Sequence, residues 1–383
     1  MFHRTNRLLS VILVVFLRIG TLSAQTVDAE VGKAFNAALV PAADLFLTVD
    51  MEKMRLAPIS KELEPLKEKG EENQQAGVLE MQKKVKQLWT DCGLVEEDAL
   101  RFTASMVIAG MKTAGGPRNL KLDTINGMVA FESRKVLDSK KILTAFGNAA
   151  TREGKEARVA ELDYEGVKIL AIEQVAETAG QESLQMFLAL VGGGRVLYIG
   201  NEVQVKAAVD RLLAGKFAPM SIAMKKTLAF VPEAAQFRLA FVPTQGMRDW
   251  IVERAVGAEQ KQQPMAIGIR GMAGIRGVAM QVFAKKMLDC QIRLGFENST
   301  QAQQVQGIVD VMALGMVRMG LMQAAGGKPL PLMNALKCVA DGTQVAIKAP
   351  LTYADVEVLQ DMQKGGAIPG MGGAAPAAAV PAP

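Results

Sequence analysis

The chain has 383 residues, with 44 Lys and Arg against 39 Asp and Glu, and its one histidine is His3. Half of its residues are hydrophobic and 22% are charged, as in a globular protein. Beyond residue 3 the composition excludes Ser-His-Asp hydrolysis, His-ligated metals and a histidine pH switch.

The first residues have the order of a signal peptide. A basic start with Arg4 and Arg7 precedes the apolar run 8–17 and the small-residue stretch Leu22-Ser23-Ala24. We therefore expect an exported protein, periplasmic or secreted.

Cleavage changes the membrane and charge arguments. Arg18 ends the apolar run after ten residues, whereas a membrane-spanning helix needs about 20. Removal of residues 1–24 would leave a chain that begins near Gln25, with 41 basic against 39 acidic side chains. No Lys/Arg cluster alternates with aromatic residues. We expect no nucleic-acid partner and no integral membrane segment after signal cleavage.

The first half, residues 25–218, alternates predicted strands with helices. Apolar alternation predicts strands at 45–50, 102–109, 128–132, 159–162, 167–172, 186–191 and 196–199. Helical spacing predicts helices at 59–89, with a break at 70–75, and at 135–151 and 203–213. Tyr164-Glu165-Gly166 and Gly192-Gly193-Gly194 are typical hairpin turns.

The second half, residues 219–363, repeats this order more compactly. Strands are predicted at 237–242, 278–283, 290–296, 336–340 and 344–348, and helices at 247–256, 299–325 and 353–362. Asp341-Gly342 is a strong hairpin turn. These patterns predict an α+β fold with mainly antiparallel sheets, helices packed on one face, and two related tandem halves. Residues 364–383, rich in Gly, Ala and Pro, are predicted to be a disordered tail.

Three short motifs carry a resemblance. The opening Ala43–Met51, the hairpin Tyr164–Ile169 and the strand followed by a helix that ends each half resemble a pattern in uncharacterised exported bacterial proteins. The resemblance covers residues 40–215 and recurs faintly in the second half. It implies export and a helix-covered antiparallel sheet, and it transfers no catalytic residue.

The sequence predicts no catalytic residue, no cofactor-binding residue and no metal ligand. Cys92, Cys290 and Cys338 are too scattered for a zinc or iron-sulfur site. They could be buried thiols, or Cys290 and Cys338 could form a bridge. The glycine-rich run 268–277 fits neither standard phosphate loop and is predicted to be a flexible lead into a strand.

Two other sets of side chains have competing interpretations. Acids such as Glu96-Glu97-Asp98, or Asp163 with Glu165, would do acid/base chemistry only if they converged, and turn or helix-start roles are the favoured explanation. Methionines recur at helical spacing at 312, 316, 319 and 322. A copper(I) thioether site is one interpretation, and a stripe facing the core is the favoured one.

The predicted helix 299–325 is apolar on both faces in its second half. We expect one face to pack on a sheet, with Val305, Ile308, Met312, Met316 and Met319. The opposite face carries Leu314, Val317 and Leu321, a possible interface buried against the other half or a partner chain. Alternatively, residues 326–332 fold back over it.

These observations predict an exported, non-catalytic binding or assembly protein of the cell envelope or extracellular space, without a cofactor. Its expected partner is another protein or a second copy, bound through the apolar second half of the 299–325 helix. The alternative is a histidine-free, carboxylate-dependent hydrolase that acts on envelope material.

Overall fold

The computed structural model describes residues 29–66, 76–113, 120–152, 154, 156–174, 184–260, 266–324 and 330–364. The predicted signal peptide, residues 1–24, and residues 365–383 of the predicted tail lie outside the described residues.

Within the described residues, twelve strands form one sheet in which neighbouring strands pair antiparallel, in the order β11-β12-β10-β9-β8-β1-β2-β3-β7-β6-β5-β4. Together with the helices, this sheet confirms the predicted α+β class. The strands are β1 (Leu45–Asp50), β2 (Ala99–Thr113), β3 (Leu120–Ser133), β4 (Ala157–Tyr164), β5 (Val167–Gln174), β6 (Leu184–Val191), β7 (Val196–Gly200), β8 (Phe237–Phe241), β9 (Ile275–Ala284), β10 (Leu288–Phe296), β11 (Lys337–Asp341) and β12 (Gln344–Leu351).

Helices occupy most of the remaining described chain, and a π-helical turn, Val309–Leu314, joins two of them. The helices are α1 (Ala29–Ala37), α2 (Met51–Leu56), α3 (Pro58–Glu62), α4 (Ala76–Asp91), α5 (Ser139–Arg152), α6 (Glu202–Leu213), α7 (Ile222–Leu228), α8 (Gln245–Gln260), α9 (Ala266–Met272), α10 (Ser299–Ile308), α11 (Gly315–Ala324), α12 (Pro331–Ala335) and α13 (Tyr353–Lys364).

Strand β1 is at the centre of the sheet although it is the first strand in the chain. It pairs with β2 through Val49 and Phe102, and with β8 through Val49 and Phe237. Phe46 and Leu47, which point to opposite faces, are both buried. A strand that is apolar on both faces is stable only when both faces are covered, so β1 belongs in the middle.

Helices cover both faces of the sheet around β3, β5, β6 and β7. Successive residues of β5, Ile169 and Leu170, belong to two separate hydrophobic clusters. The first cluster contains Phe35 of α1 and Val205 of α6. The second contains Ile142 of α5. The prediction that helices pack on one face is therefore wrong here, because these strands are apolar on both faces.

Around β10, β11 and β12 the strands alternate instead. Val345 packs with Ala302 and Val305 of α10, while Lys348, three residues further along β12, pairs with Gln291 on the other face. This alternation fits one helix-covered face.

The hairpin turns follow the sequence prediction. Glu165 and Gly166 adopt positive φ of 52° and 76°, and Gly342 has a φ of 56°. The left-handed region suits glycine, which has no Cβ to clash. The β4-β5, β6-β7 and β11-β12 hairpins are confirmed.

The π-helical turn explains why the two faces of the 299–325 helix were assigned incorrectly. One extra residue in this turn shifts every later side chain around the helix axis. The buried side chains therefore include Val305, Leu314 and Leu321, which would not lie on one face of an uninterrupted α-helix. Met316 and Met319, which were predicted to face the sheet, are 54% and 57% exposed.

Candidate binding site

A cavity of about 490 Å³ lies at the centre of the sheet, between the sheet and the two helices α1 and α7. Its floor is formed by Phe46 and Thr48 of β1, Arg101 and Thr103 of β2, and Arg238 of β8. Its volume is within the roughly 300–1,000 Å³ usual for small-molecule sites.

Helix α1, one wall of the cavity, is fixed by two side chains from distant parts of the chain. The buried Tyr198 hydroxyl donates to the Ala34 carbonyl oxygen at 2.6 Å. Arg211 donates to the Ala37 and Leu39 carbonyl oxygens, each at 3.0 Å. Carbonyls at a helix C-terminus lack partners within the helix, so Arg211 completes the end of α1.

Arg101 connects the floor to this wall. Its guanidinium carbon lies 4.3 Å from the centre of the Phe35 ring. Nε and Nη2 both donate to Glu132 Oε2, at 3.1 and 2.9 Å. The buried Glu132 carboxylate also lies 3.8 Å from Arg195. The Arg101 charge is therefore largely balanced within the protein.

Helix α7, the other wall, depends on a cap and on a glycine. The Ser221 side chain accepts a hydrogen bond from the Met224 backbone N–H at 3.1 Å, which caps the helix. Met224 is buried against Phe46. A Cβ on Gly277 of β9 would lie 2.3 Å from Thr227 Oγ1, so only glycine lets α7 approach the sheet this closely.

The two threonines of the floor use their hydroxyl protons within the protein. Thr103 Oγ1 donates to Thr48 Oγ1 at 3.1 Å, and Thr48 Oγ1 donates to the Phe102 carbonyl oxygen at 3.1 Å. At the cavity surface these hydroxyls can therefore act as acceptors and not as donors.

Arg238 differs from Arg101 in having unused donors. It lies directly opposite Thr48, and its Nη2 is a long 3.5 Å from the Val231 carbonyl oxygen. Its buried Nε–H has no hydrogen-bond partner among the described residues. Burial lowers the pKa of Arg238, and the negative charge of Glu233 acts in the opposite direction. The group remains cationic, because an arginine does not lose its proton in proteins.

The charges around the cavity favour an anion. Arg101, Lys225 and Arg238 are cationic, and Glu233 is the one acid among the described lining residues. General acid/base hydrolysis by carboxylates needs two converging acids. Within the described parts of the chain, no group of three or more His, Cys, Asp and Glu could hold a metal ion.

Two of the acids considered in the sequence, Asp98 and Asp163, have structural partners. Asp98 accepts a hydrogen bond from the Val95 N–H at 2.9 Å and lies 2.8 Å from Lys135 Nζ. Asp163 accepts from the Gly166 N–H at 3.1 Å in the β4-β5 turn.

Of the three predicted interface residues, two are buried within the chain. Leu314 is 6% exposed in the core beneath α10, and Leu321 is 1% exposed against Leu332 of α12. Leu332 of α12 therefore covers Leu321. This contact agrees with the alternative in which the segment after the helix folds back over this face. Val317 is 46% exposed.

The three cysteines are free thiols. Strand β12 separates Cys290 of β10 from Cys338 of β11. Cys290 pairs with Ala349 of β12, and Cys338 pairs with Ile347 of β12. Burial raises the pKa of Cys92, Cys290 and Cys338 to about 11.

The sequence did not reveal the cavity, because neither α1 nor α7 was predicted. A usable indication was present in the strands: Thr48, Thr103 and Arg238 are polar residues inside otherwise apolar strands. Only the pairing of β1 with β8, which is distant in sequence, brings Arg238 to Thr48.

The continuous helical segment Ser299–Met322 has 24 residues and is long and apolar enough to span a membrane by length and composition. Core helices of soluble proteins can share these properties. No family model matches the chain, and no solved structure matches it.

Proposed function

We propose that this chain is an exported, non-catalytic binding protein whose ligand occupies the cavity beneath α1 and α7. The observation that carries this proposal is the cavity itself, which combines apolar side chains of the floor and both walls with the cations Arg101, Lys225 and Arg238. Concave sites of mixed lining are the usual places for small ligands.

Binding is favoured over the alternative, a carboxylate-dependent hydrolase. Asp44 has a raised pKa because of burial, but its carboxylate accepts a hydrogen bond from the Ile108 N–H at 2.9 Å and thereby ties β1 to β2. Glu233 lines the cavity without a second lining acid among the described residues.

Thermal unfolding of the mature chain with anionic, neutral and cationic amphiphiles tests this function. We expect at least one class to raise the melting temperature, because a ligand that binds the folded state stabilises it. Ala229→Trp, at the cavity, should abolish the effect. Ala223→Trp, on an exposed part of α7 away from the cavity, should preserve it. If no class stabilised the wild-type chain, the proposal would be wrong.

Export is supported by the basic, apolar and small-residue segments of residues 1–24. N-terminal sequencing of protein recovered outside the cytoplasm should begin at or within a few residues of Gln25. Recovery of a chain that begins with Met1 would argue against cleavage.

We also propose that the halves 25–218 and 219–363 are related by duplication. The strand orders β1-β2-β3-β7-β6 and β8-β9-β10-β12-β11 correspond, with β4 and β5 as additions to the first half. A helix precedes each set, α1 before β1 and α7 before β8. The two halves, produced as separate chains, should associate through β1 and β8. Soluble halves that did not associate would contradict this division.

We infer that the exposed apolar face of α11 pairs with a second copy of the chain. Val317, Met316 and Met319 are exposed there and carry no charge that would repel an identical surface. Light scattering should give the mass of a dimer, and Val317→Glu should reduce it to a monomer. Val203→Glu, on an exposed part of α6, is the control. A monomeric wild-type chain would exclude this pairing.

A further inference from the structure

The cavity has two chemically different ends, and strand register fixes their order. Phe46 lies between Ser105 and Ala240 in one row across the sheet, and Thr48 lies between Thr103 and Arg238 in the next row on the same face. Rows two residues apart are separated by about 7 Å. The floor thus changes from apolar to polar along the strands.

The apolar end is continuous with a hydrophobic cluster. Phe46 and Leu39 are buried there, and Met220 and Leu228 pack against them. All four also line the cavity. This end can remove an aliphatic chain from water, at a gain of about 0.8 kcal/mol for each buried CH₂ group.

Arg238 at the polar end has largely unused hydrogen-bonding capacity, and Lys225 adds a second cation to the cavity lining. Glu132 accepts both hydrogen bonds from Arg101, whereas Arg238 has an unpartnered Nε–H among the described residues and a long contact from Nη2. Because Nε is buried, an anionic oxygen in the cavity would bind the guanidinium through its Nη atoms, for which the described residues provide one long contact.

We propose that the ligand is an amphipathic anion, an unbranched aliphatic chain with a carboxylate or phosphate head group that binds at Arg238. This inference rests on the proposed function of the cavity. The aliphatic chain lies toward Phe46, Leu39 and Met220, and the head group accepts hydrogen bonds from the Arg238 guanidinium. Glu233 weakens anion binding, because its negative charge lies at the same cavity.

Calorimetric titration of the mature chain with decanoate and decyl phosphate tests the ligand class and compares the two head groups. Octanoate should bind about tenfold more weakly than decanoate, since it lacks two CH₂ groups. Butyrate and inorganic phosphate, which supply the head group alone, should not bind measurably. Decanol and decyltrimethylammonium should bind at least about tenfold more weakly than decanoate, because neither provides an anion for Arg238.

Charge variants identify the residue that holds the head group. Arg238→Gln should weaken decanoate binding about tenfold or more, because a charged hydrogen-bond donor is lost. Lys226→Gln makes the same change in net charge outside the cavity and should have no effect. Glu233→Gln should strengthen binding about two- to fivefold, and the exposed Glu253→Gln is its control. Should Arg238→Gln fail to fold, Arg238→Lys, which keeps the charge but lacks the forked guanidinium donors, should still weaken binding several-fold.

The outcomes separate this inference from the proposed function. If decanol bound as tightly as decanoate and Arg238→Gln changed nothing, the cavity would bind ligands but the anionic class would be wrong. If butyrate bound as tightly as decanoate, the apolar end would have no role. If no probe bound or stabilised the chain, the proposed function would fail as well.

Discussion

The Tyr198 hydroxyl donates a 2.6 Å hydrogen bond to the Ala34 carbonyl oxygen, across 164 residues of sequence. Tyr198 is fully buried in β7, and burial raises its pKa, so it remains a neutral donor. The Ala34 carbonyl also accepts a hydrogen bond from the Ala38 N–H at 3.1 Å. Tyr198 therefore fastens the cavity wall α1 to the sheet.

Tyr198→Phe should lower the free energy of unfolding by about 1 kcal/mol, because one buried hydrogen bond is lost without a change in shape. Chemical denaturation measures this. Tyr164→Phe removes an exposed hydrogen bond of 3.0 Å to Asp210, and we expect it to cost less. Equal costs for the two variants would mean that Tyr198 does not hold α1.

Gly277→Ala should lower the free energy of unfolding by about 1–3 kcal/mol, because the added methyl group would overlap Thr227 and displace α7. The control is Gly307→Ala in α10, where the added methyl group meets nothing within 4 Å. That change should stabilise the chain by about 0.5–1 kcal/mol. Denaturation midpoints that moved in the same direction for both variants would contradict the packing argument.

Leu321→Ala should lower the free energy of unfolding by about 2–5 kcal/mol, because Leu321 is buried against Leu332. Val317→Ala, at an exposed position, should change the free energy of unfolding of the monomer by less than about 0.5 kcal/mol. Deletion of the exposed Val311 would remove the extra residue of the π-helical turn, so that the segment could close as a regular α-helix with Leu321 still facing its core. We expect the deletion to cost less stability than Leu321→Ala. A deletion variant that unfolds at a lower temperature than Leu321→Ala would show that the turn does not simply absorb one extra residue.

The three thiols should react slowly in the folded chain. With pKa values of about 11, roughly one thiol in a thousand is a thiolate at about pH 8. Reaction with a chromogenic disulfide should therefore accelerate about 100-fold when guanidinium chloride unfolds the chain. Fast labelling of any cysteine in the folded chain would show that its thiol is accessible and ionised.

The same pKa values predict how the free energy of unfolding changes with pH. The folded pKa lies above the reference value of 9.0, so the thiols stabilise the fold fully below about pH 9 and lose this contribution as the pH rises toward 11. The free energy of unfolding should fall across this interval. Cys92→Ala should make the decrease shallower, and an unchanged slope would rule out a contribution from Cys92.

The sequence predicted the elements that depend on local patterns. The Tyr164-Glu165-Gly166 turn and the alternation of β1 are local, and both were correctly placed. The π-helical turn was missed, because one extra residue leaves the apolar composition of the helix unchanged. The cavity was missed for a different reason. It requires Arg238 and Thr48 to meet across 190 residues of sequence, and no local pattern specifies which distant strands pair.

The central position of β1 also affects the order in which the chain can fold during synthesis. Its partner β2 follows closely, but Phe237 of β8 is made 188 residues after its partner Val49. At about 5–20 residues per second, the second edge of β1 stays unpaired for roughly 10–40 seconds. An open apolar edge recruits other strands, so premature termination near residue 218 should yield fragments that aggregate edge to edge. We therefore expect the newborn chain to need protection of that edge until β8 emerges.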